Sequence, residues 1–215
     1  MSELLIIAPL GEIRKGVNCK RRRQKMTYPI VVYGHEILRK VAKDIEKDHP
    51  GLQQLIADMF ETMYKSEGMG LAAPQIGKSI RIFIIDGTPI ADDEPSLVDF
   101  KKVFINPSIT EKSGDLKLMN EGCLSIPNIR EEVNREARIR IEYYDENWEF
   151  HDEVYEGYKA RIIQHEYDHL DGILFTDLLS PLRRRLLKSK LAAISKGKFE
   201  SVYKTILPGH KVKSD

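Results

Sequence analysis

Gln164-His165-Glu166-Tyr167-Asp168-His169 is the stretch on which the reading of this chain turns. It spells H-E-x-x-H. Side chains four residues apart lie one turn above each other on the same face of an α-helix. His165 and His169 are therefore spaced to hold one metal ion, and Glu166 beside them is free to carry a proton, the pattern of a helical zinc-type hydrolase site. Two histidines leave a metal under-coordinated, so a third ligand must come from elsewhere in the chain. The predicted helix runs from Tyr158 to Leu170, with Ile162, His165, Glu166 and His169 on one face and Gly172 as its stop signal.

Working outward, Leu52, Leu55, Ile56, Met59, Phe60 and Met63 form one helical stripe, with Pro50 before it and Gly68 beyond it. Ile80–Asp86, Lys102–Ile109 and Arg138–Tyr144 are β-branched and apolar, and read as strands. Asp86–Phe100 reads as a surface loop, and Tyr143–Trp148 as strand, turn, strand. Ser180-Pro181 opens another helix, with Leu182, Leu186, Leu187, Ala193 and Ile194 on one broad side and Arg184, Arg185 and Lys188 on the other. Strands in the middle with helices to either side predict an α+β fold. Mixed or antiparallel sheets would surround the central H-E-x-x-H helix, with an N-terminal covering helix and a C-terminal helix.

The chain has 215 residues, enough for one well-buried core. No apolar run approaches the roughly 18 to 20 residues that span a bilayer, and Leu4–Leu10 lacks the flanks of a secretory signal. Cys19 and Cys123 make no disulfide framework, which points to a reducing cytoplasm. Charge is unevenly spread. Residues 1–25 carry seven Lys/Arg against two acids, residues 181–215 ten against two, and residues 26–180 seventeen against twenty-nine. An acidic body with basic ends suggests that the ends meet something anionic, or are simply solvated. The expected divisions are a disordered or non-native extension at 1–25, a catalytic domain at 26–180, and a basic helix and tail at 181–215. Met26 is an alternative start.

The third ligand decides the chemistry. A downstream glutamate would suit a simple metalloprotease, but the only one after His169 is Glu200, in a basic tail without pattern. The extended metzincin pattern needs a histidine where Phe175 stands. Cys123 is the strong alternative. It lies in Asn120-Glu121-Gly122-Cys123-Leu124-Ser125-Ile126-Pro127, where the glycine, serine and proline argue for irregular, pocket-lining backbone. A lone cysteine is more often an inert core residue, yet with the two histidines it gives a Cys-His₂ set with one position open. Gly68-Met69-Gly70-Leu71-Ala72-Ala73-Pro74-Gln75-Ile76-Gly77 is a further loop of small residues. Its Gln75 either satisfies a backbone group or donates to a ligand.

Together Gly68–Gln75, Glu121–Ser125 and Gln164–His169, in this order and spacing, resemble the peptide deformylases. Pro29–Gly34 and Leu38-Arg39 are similar to that family's opening, and the likeness covers about residues 26–195. The resemblance implies removal of the N-formyl group from formyl-methionine at the start of new polypeptides. It implies Cys123, His165 and His169 as ligands of Fe²⁺, replaceable by Zn²⁺, Ni²⁺ or Co²⁺. It implies Glu166 as general acid and base, and the Gln75 side chain and the Leu124 N–H as oxyanion donors. The substrate peptide would add as a strand beside Gly68–Leu71, with Gly70 allowing close approach. Met69 and Ile129 are candidates for the methionine pocket, and Arg130 for a substrate carbonyl. The basic C-terminal helix fits the deformylases that dock on the ribosome. The competing expectations are another Cys-His₂ amidase or peptidase, and a structural metal module without catalysis.

Overall fold

The computed structural model describes residues 26–212, so the expectation placed on residues 1–25 lies outside the described part. Strand β1 (Ile30–Val31) is followed by helix α1 (Leu52–Lys65), β2 (Gly70–Ala72), β3 (Ile82–Asp86), β4 (Lys101–Cys123), β5 (Ile126–Tyr144) and β6 (Phe150–Glu156). Helices α2 (Gly157–Leu170) and α3 (Pro181–Ser195) and strand β7 (Thr205–Ile206) complete the order. Five strands form an antiparallel sheet in the order β2-β3-β4-β5-β6, while β1 pairs in parallel with β7. The α+β expectation holds, with three helices at the predicted places.

Period-two alternation explains how the sheet serves two helices. In β3, Ile82 and Ile84 join the cluster that contains Leu55, Met59 and Met63 of α1. Phe83 and Ile85 point the other way, into the cluster that contains Ala160, Ile163 and Leu170 of α2. β3 is thus buried on both faces, which is why it reads as a continuous apolar run. The covering role of α1 and the central place of α2 follow. Helix α2 ends where predicted. Gly172 has φ +73°, and a Cβ there would lie 2.7 Å from the backbone of Arg39. That residue is a stop signal and a close-packing point at once.

Three local expectations need correction. First, the second and third predicted strands are far too short: β4 runs on from Ile109 to Cys123, and β5 begins at Ile126. Their outer halves alternate charged and polar residues, as in Glu111 opposite Arg140 and Lys117 opposite Arg135, and so show no apolar period. Cross-strand pairing holds the β4 side of this ribbon, while the inward positions of β5 are buried but include the charged Glu131 and Arg135, which hide the period in the sequence. Secondly, Asn120–Pro127 is not irregular throughout. Cys123 closes a regular strand, and only Leu124 and Ser125 turn the chain. A register shift between Gly122 and Cys123 re-aims the end of the strand. Thirdly, Leu182 and Leu186 of α3 are exposed, not packed. Only Leu187, Leu191 and Ile194 reach the body, meeting Val32, Ile126 and Phe175, so the helix is seated on a stripe narrower than the apolar count suggested.

Candidate active site

Helix α2 presents His165 and His169 one turn apart, nearly perpendicular to one another, with ring centroids 5.2 Å apart. The end of β4 brings Cys123 against them: its Sγ lies 3.2 Å from His169 Nε2. One donor atom from each of Cys123, His165 and His169 falls within 4.8 Å of the others. A cysteine 42 residues before His165 is therefore folded onto the helix that carries both histidines. A sulfur and two imidazole nitrogens suit a divalent transition metal.

The tautomer of His165 is set by Glu121, whose Oε2 lies 2.8 Å from His165 Nδ1. With Nδ1–H donating there, Nε2 is the nitrogen left for a ligand role, one that an incoming metal ion takes in exchange for its proton. Glu121 also accepts from Arg135 Nε at 2.7 Å and Nη2 at 3.0 Å, and from Arg161 Nη1 at 2.7 Å. Arg135 reaches on to Asp168 at 2.6 Å, and Arg161 to the Val133 carbonyl at 2.9 Å. These groups are all buried. Burial pushes the Glu121 carboxyl up, but hydrogen bonds from His165 and Arg135 outweigh it and hold the group well below the usual carboxylate range. Burial alone would pull His165 down, yet its bonds to Cys123 and Glu121 carry it well above its ordinary value. His169 goes the other way, lowered by burial and by the positive charge of His165.

Sequence reasoning singled out Cys123 and passed over Glu121, Arg135 and Arg161. The signal was available for Glu121. Residues two apart on a strand share a face, so an acid two before an inward-facing cysteine must also point inward and needs a partner there.

Glu166 is buried beside the donor set, and burial pushes its carboxyl up to about 7. Its Oε2 has no hydrogen-bond partner among the described residues. A Cβ on Gly70 would lie 2.4 Å from Glu166 Oε1, so the absent side chain at 70 is what makes room for this carboxylate. Gln75 is fixed in orientation: its Oε1 accepts from the Ala72 N–H at 2.8 Å. Its Nε2 donates toward Ser125 Oγ at 3.3 Å and Cys123 Sγ at 3.5 Å. The carbonyl half satisfies backbone, and the amino half faces the Cys123 side of the cleft.

A cleft of about 930 Å³ opens over these groups. Gln75, His165 and Glu166 line it, together with Met69 and Gly70 from the β2 side and Leu124, Ile129 and Arg130 from the β4–β5 turn. Every sequence-selected residue except the more deeply buried His169 lines this cleft. Strand β2 is the edge of the five-stranded sheet.

A half-open Cys-His₂ set with a neighbouring unligated glutamate, on an α+β frame, defines a metal-dependent hydrolase. Comparison with known proteins narrows that class. The chain belongs to the polypeptide deformylase family, whose model matches residues 27–185. It is 55% identical over 193 residues to the peptide deformylase of Christiangramia forsetii, covering 86% of this chain and 98% of the relative. The crystal structure of the Thermus thermophilus peptide deformylase superposes with a TM-score of 0.71 at 42% identity, covering 80% of this chain and 99% of that one. A Met-Ala-Ser-bound peptide deformylase from Acinetobacter baumannii gives a TM-score of 0.66 at 34% identity, covering 73% and 100%.

Proposed function

We propose that this protein removes formate from N-formyl-methionine at the start of newly made polypeptides, with Cys123, His165 and His169 holding the metal. The observation that carries the reading is the convergence of those three donors beside a buried carboxylate that has an unpartnered oxygen. A divalent cation held there supplies Lewis acidity, lowering the pKa of a water and polarising a carbonyl.

The chain's own groups do the rest. Glu166, with its pKa pushed up to about 7, is poised to take a proton from the attacking water and return it to the leaving amine. The water oxygen joins the formyl carbon, the C–N bond breaks, and the first water proton ends on the amine; formate departs as its remaining acid proton is lost, so that the amine leaves as an ammonium at neutral pH. Gln75 Nε2, pre-aimed by the Ala72 contact, and the Leu124 N–H donate to the oxyanion as it develops. The peptide adds beside the β2 edge at Gly70. Met69 and Ile129 flank the methionine side chain, and Arg130 reaches a substrate carbonyl. The Met-Ala-Ser complex of the Acinetobacter relative supports a peptide of this kind in the cleft.

Fe²⁺ is the proposed resident ion, with Zn²⁺, Ni²⁺ and Co²⁺ as substitutes for the same donor set. We assign catalysis to residues 26–180 and a partner-binding role to residues 181–215. Arg184, Arg185, Lys188 and Lys190 are exposed on α3, a charge pattern that suits rRNA. No helix among the described residues is long and apolar enough to cross a membrane. The cytoplasm, where new polypeptides are made, is the proposed location. The test is formate release from formyl-Met-Ala-Ser by protein loaded anaerobically with Fe²⁺ or Ni²⁺. Formate without cleavage of Met-Ala-Ser supports deformylation. Cleavage of the unformylated peptide would favour the peptidase alternative.

A further inference from the structure

The chain after α3 does not trail away. Residues 200–212 fold back across the body, and this segment lies beyond the residues 27–185 that match the family model. Its β7 pairs with β1, through Ile30 N–H to the Lys204 carbonyl at 2.8 Å and Val32 N–H to the Ile206 carbonyl at 3.1 Å. Leu207 packs on the cluster that contains Leu187 and Ile194.

The start of the segment is tied to the turn that carries the site. The Tyr203 hydroxyl donates to the Leu124 carbonyl at 2.8 Å, and Asn128 Nδ2 donates to the Glu200 carbonyl at 3.0 Å. The Ser201 hydroxyl accepts from the Tyr203 N–H and donates to the Tyr203 carbonyl, stiffening the chain between these ties. Glu200, Ser201, Val202 and Tyr203 line the same cleft as Gln75, His165 and Glu166. Val202 is 79% exposed, although it is branched and apolar and sits on a cleft wall. An apolar side chain left open to a cleft, on a segment tied down at Glu200 and Tyr203, is placed to be covered by whatever fills the cleft.

We propose that Glu200–Tyr203 forms the outer wall of the substrate cleft, and that Val202 covers an apolar side chain of the peptide just after the formyl-methionine. Tyr203 acts as a positioning residue, holding this wall to the Leu124 turn. The proposal rests on the deformylase reading and deepens it: the tail makes the enzyme a reader of the residues that follow.

The experiment compares Val202→Asp with the wild type, both loaded with Ni²⁺, on formyl-Met-Leu-Ser and on formyl-methioninamide. The wall predicts that the ratio of kcat/KM for the tripeptide over the amide falls about five- to ten-fold, the worth of one partly covered apolar contact. Because Val202 is exposed, the melting temperature stays with the wild type. Tyr203→Phe lowers the same ratio by freeing the wall, and it also lowers kcat on the tripeptide. A ratio unaltered in Val202→Asp overturns the proposal while leaving deformylation intact. Absence of formate from either substrate with wild-type protein refutes the functional reading itself.

Discussion

Replacing Glu121 by Gln removes a buried negative charge that His165, Arg135 and Arg161 all use. The carboxylate accepts bonds of 2.7 to 3.0 Å from three arginine nitrogens and one imidazole nitrogen, in a position only 5% exposed. A Gln side chain offers one carbonyl oxygen and turns an amino group toward donors. Arg135 keeps Asp168, and Arg161 keeps the Val133 carbonyl, so the network loses its centre rather than every tie. Breaking a buried ion pair from one side costs about 3–5 kcal/mol. For a chain of this size that lowers the melting temperature by roughly 6–20 °C. His165 also loses the acceptor that fixes its tautomer, so Zn²⁺ affinity falls about 10- to 100-fold in a competition titration with a chelator. The effect depends on pH. The Glu121 carboxyl is depressed in the folded protein relative to its ordinary value of 4.5. Its stabilising contribution is therefore fully present above that value and lost as the pH falls below it toward the folded value. The gap between wild type and Glu121→Gln accordingly narrows in acid. A variant that melts within about 2 °C of the wild type at neutral pH, and binds Zn²⁺ equally well, would refute the role given to Glu121.

Gln75→Ala removes one oxyanion donor, so kcat in the formate assay falls about 10²- to 10³-fold with KM much less changed; it also orphans the buried Ala72 N–H, costing about 1–3 kcal/mol of stability. Gly70→Ala pushes a methyl into the Glu166 side chain as far back as its Cγ, which must move although it is buried. Catalysis then drops by on the order of 10²-fold, as for a displacement of about 1 Å, and the melting temperature falls as well because a buried side chain is overpacked. Ribosome binding through α3, measured by co-sedimentation, weakens steeply between about 50 and 200 mM salt and loses its salt slope when Arg184, Arg185 and Lys188 become Ala. Binding indifferent to salt would remove the rRNA assignment.

What the sequence made legible follows from where burial imposes a period. The stripe Leu52–Met63 and the H-E-x-x-H motif fixed two helices within a residue of their observed starts, the first because it is apolar along one side, the second because its metal-ligand spacing demands a helical turn. β3 was legible as a short apolar run for the opposite reason, being covered on both faces. The outer β4–β5 ribbon was not, since exposed Glu111 and Lys117 in β4 and buried but charged Glu131 and Arg135 in β5 leave no apolar period to read. Cys123 could be reached as a candidate by eliminating Glu200 and the Phe175 position as ligand sources, and the fold brings it beside the two histidines. Glu121 and the two arginines were missed because charge in a sequence reads as surface. Only the folded chain reveals that Glu121, Arg135 and Arg161 satisfy one another. The tail was opaque as well: Tyr203 acquires its meaning from a carbonyl 79 residues earlier.

The claim on which the rest depends is that one metal ion is bound by the sulfur of Cys123 and by His165 and His169. X-ray absorption on Zn²⁺-loaded protein measures it directly. The expected spectrum has one sulfur at about 2.3 Å and two imidazole nitrogens at about 2.0–2.1 Å, with a light fourth ligand. A metal shell without sulfur, or one unchanged in Cys123→Ser, would contradict it.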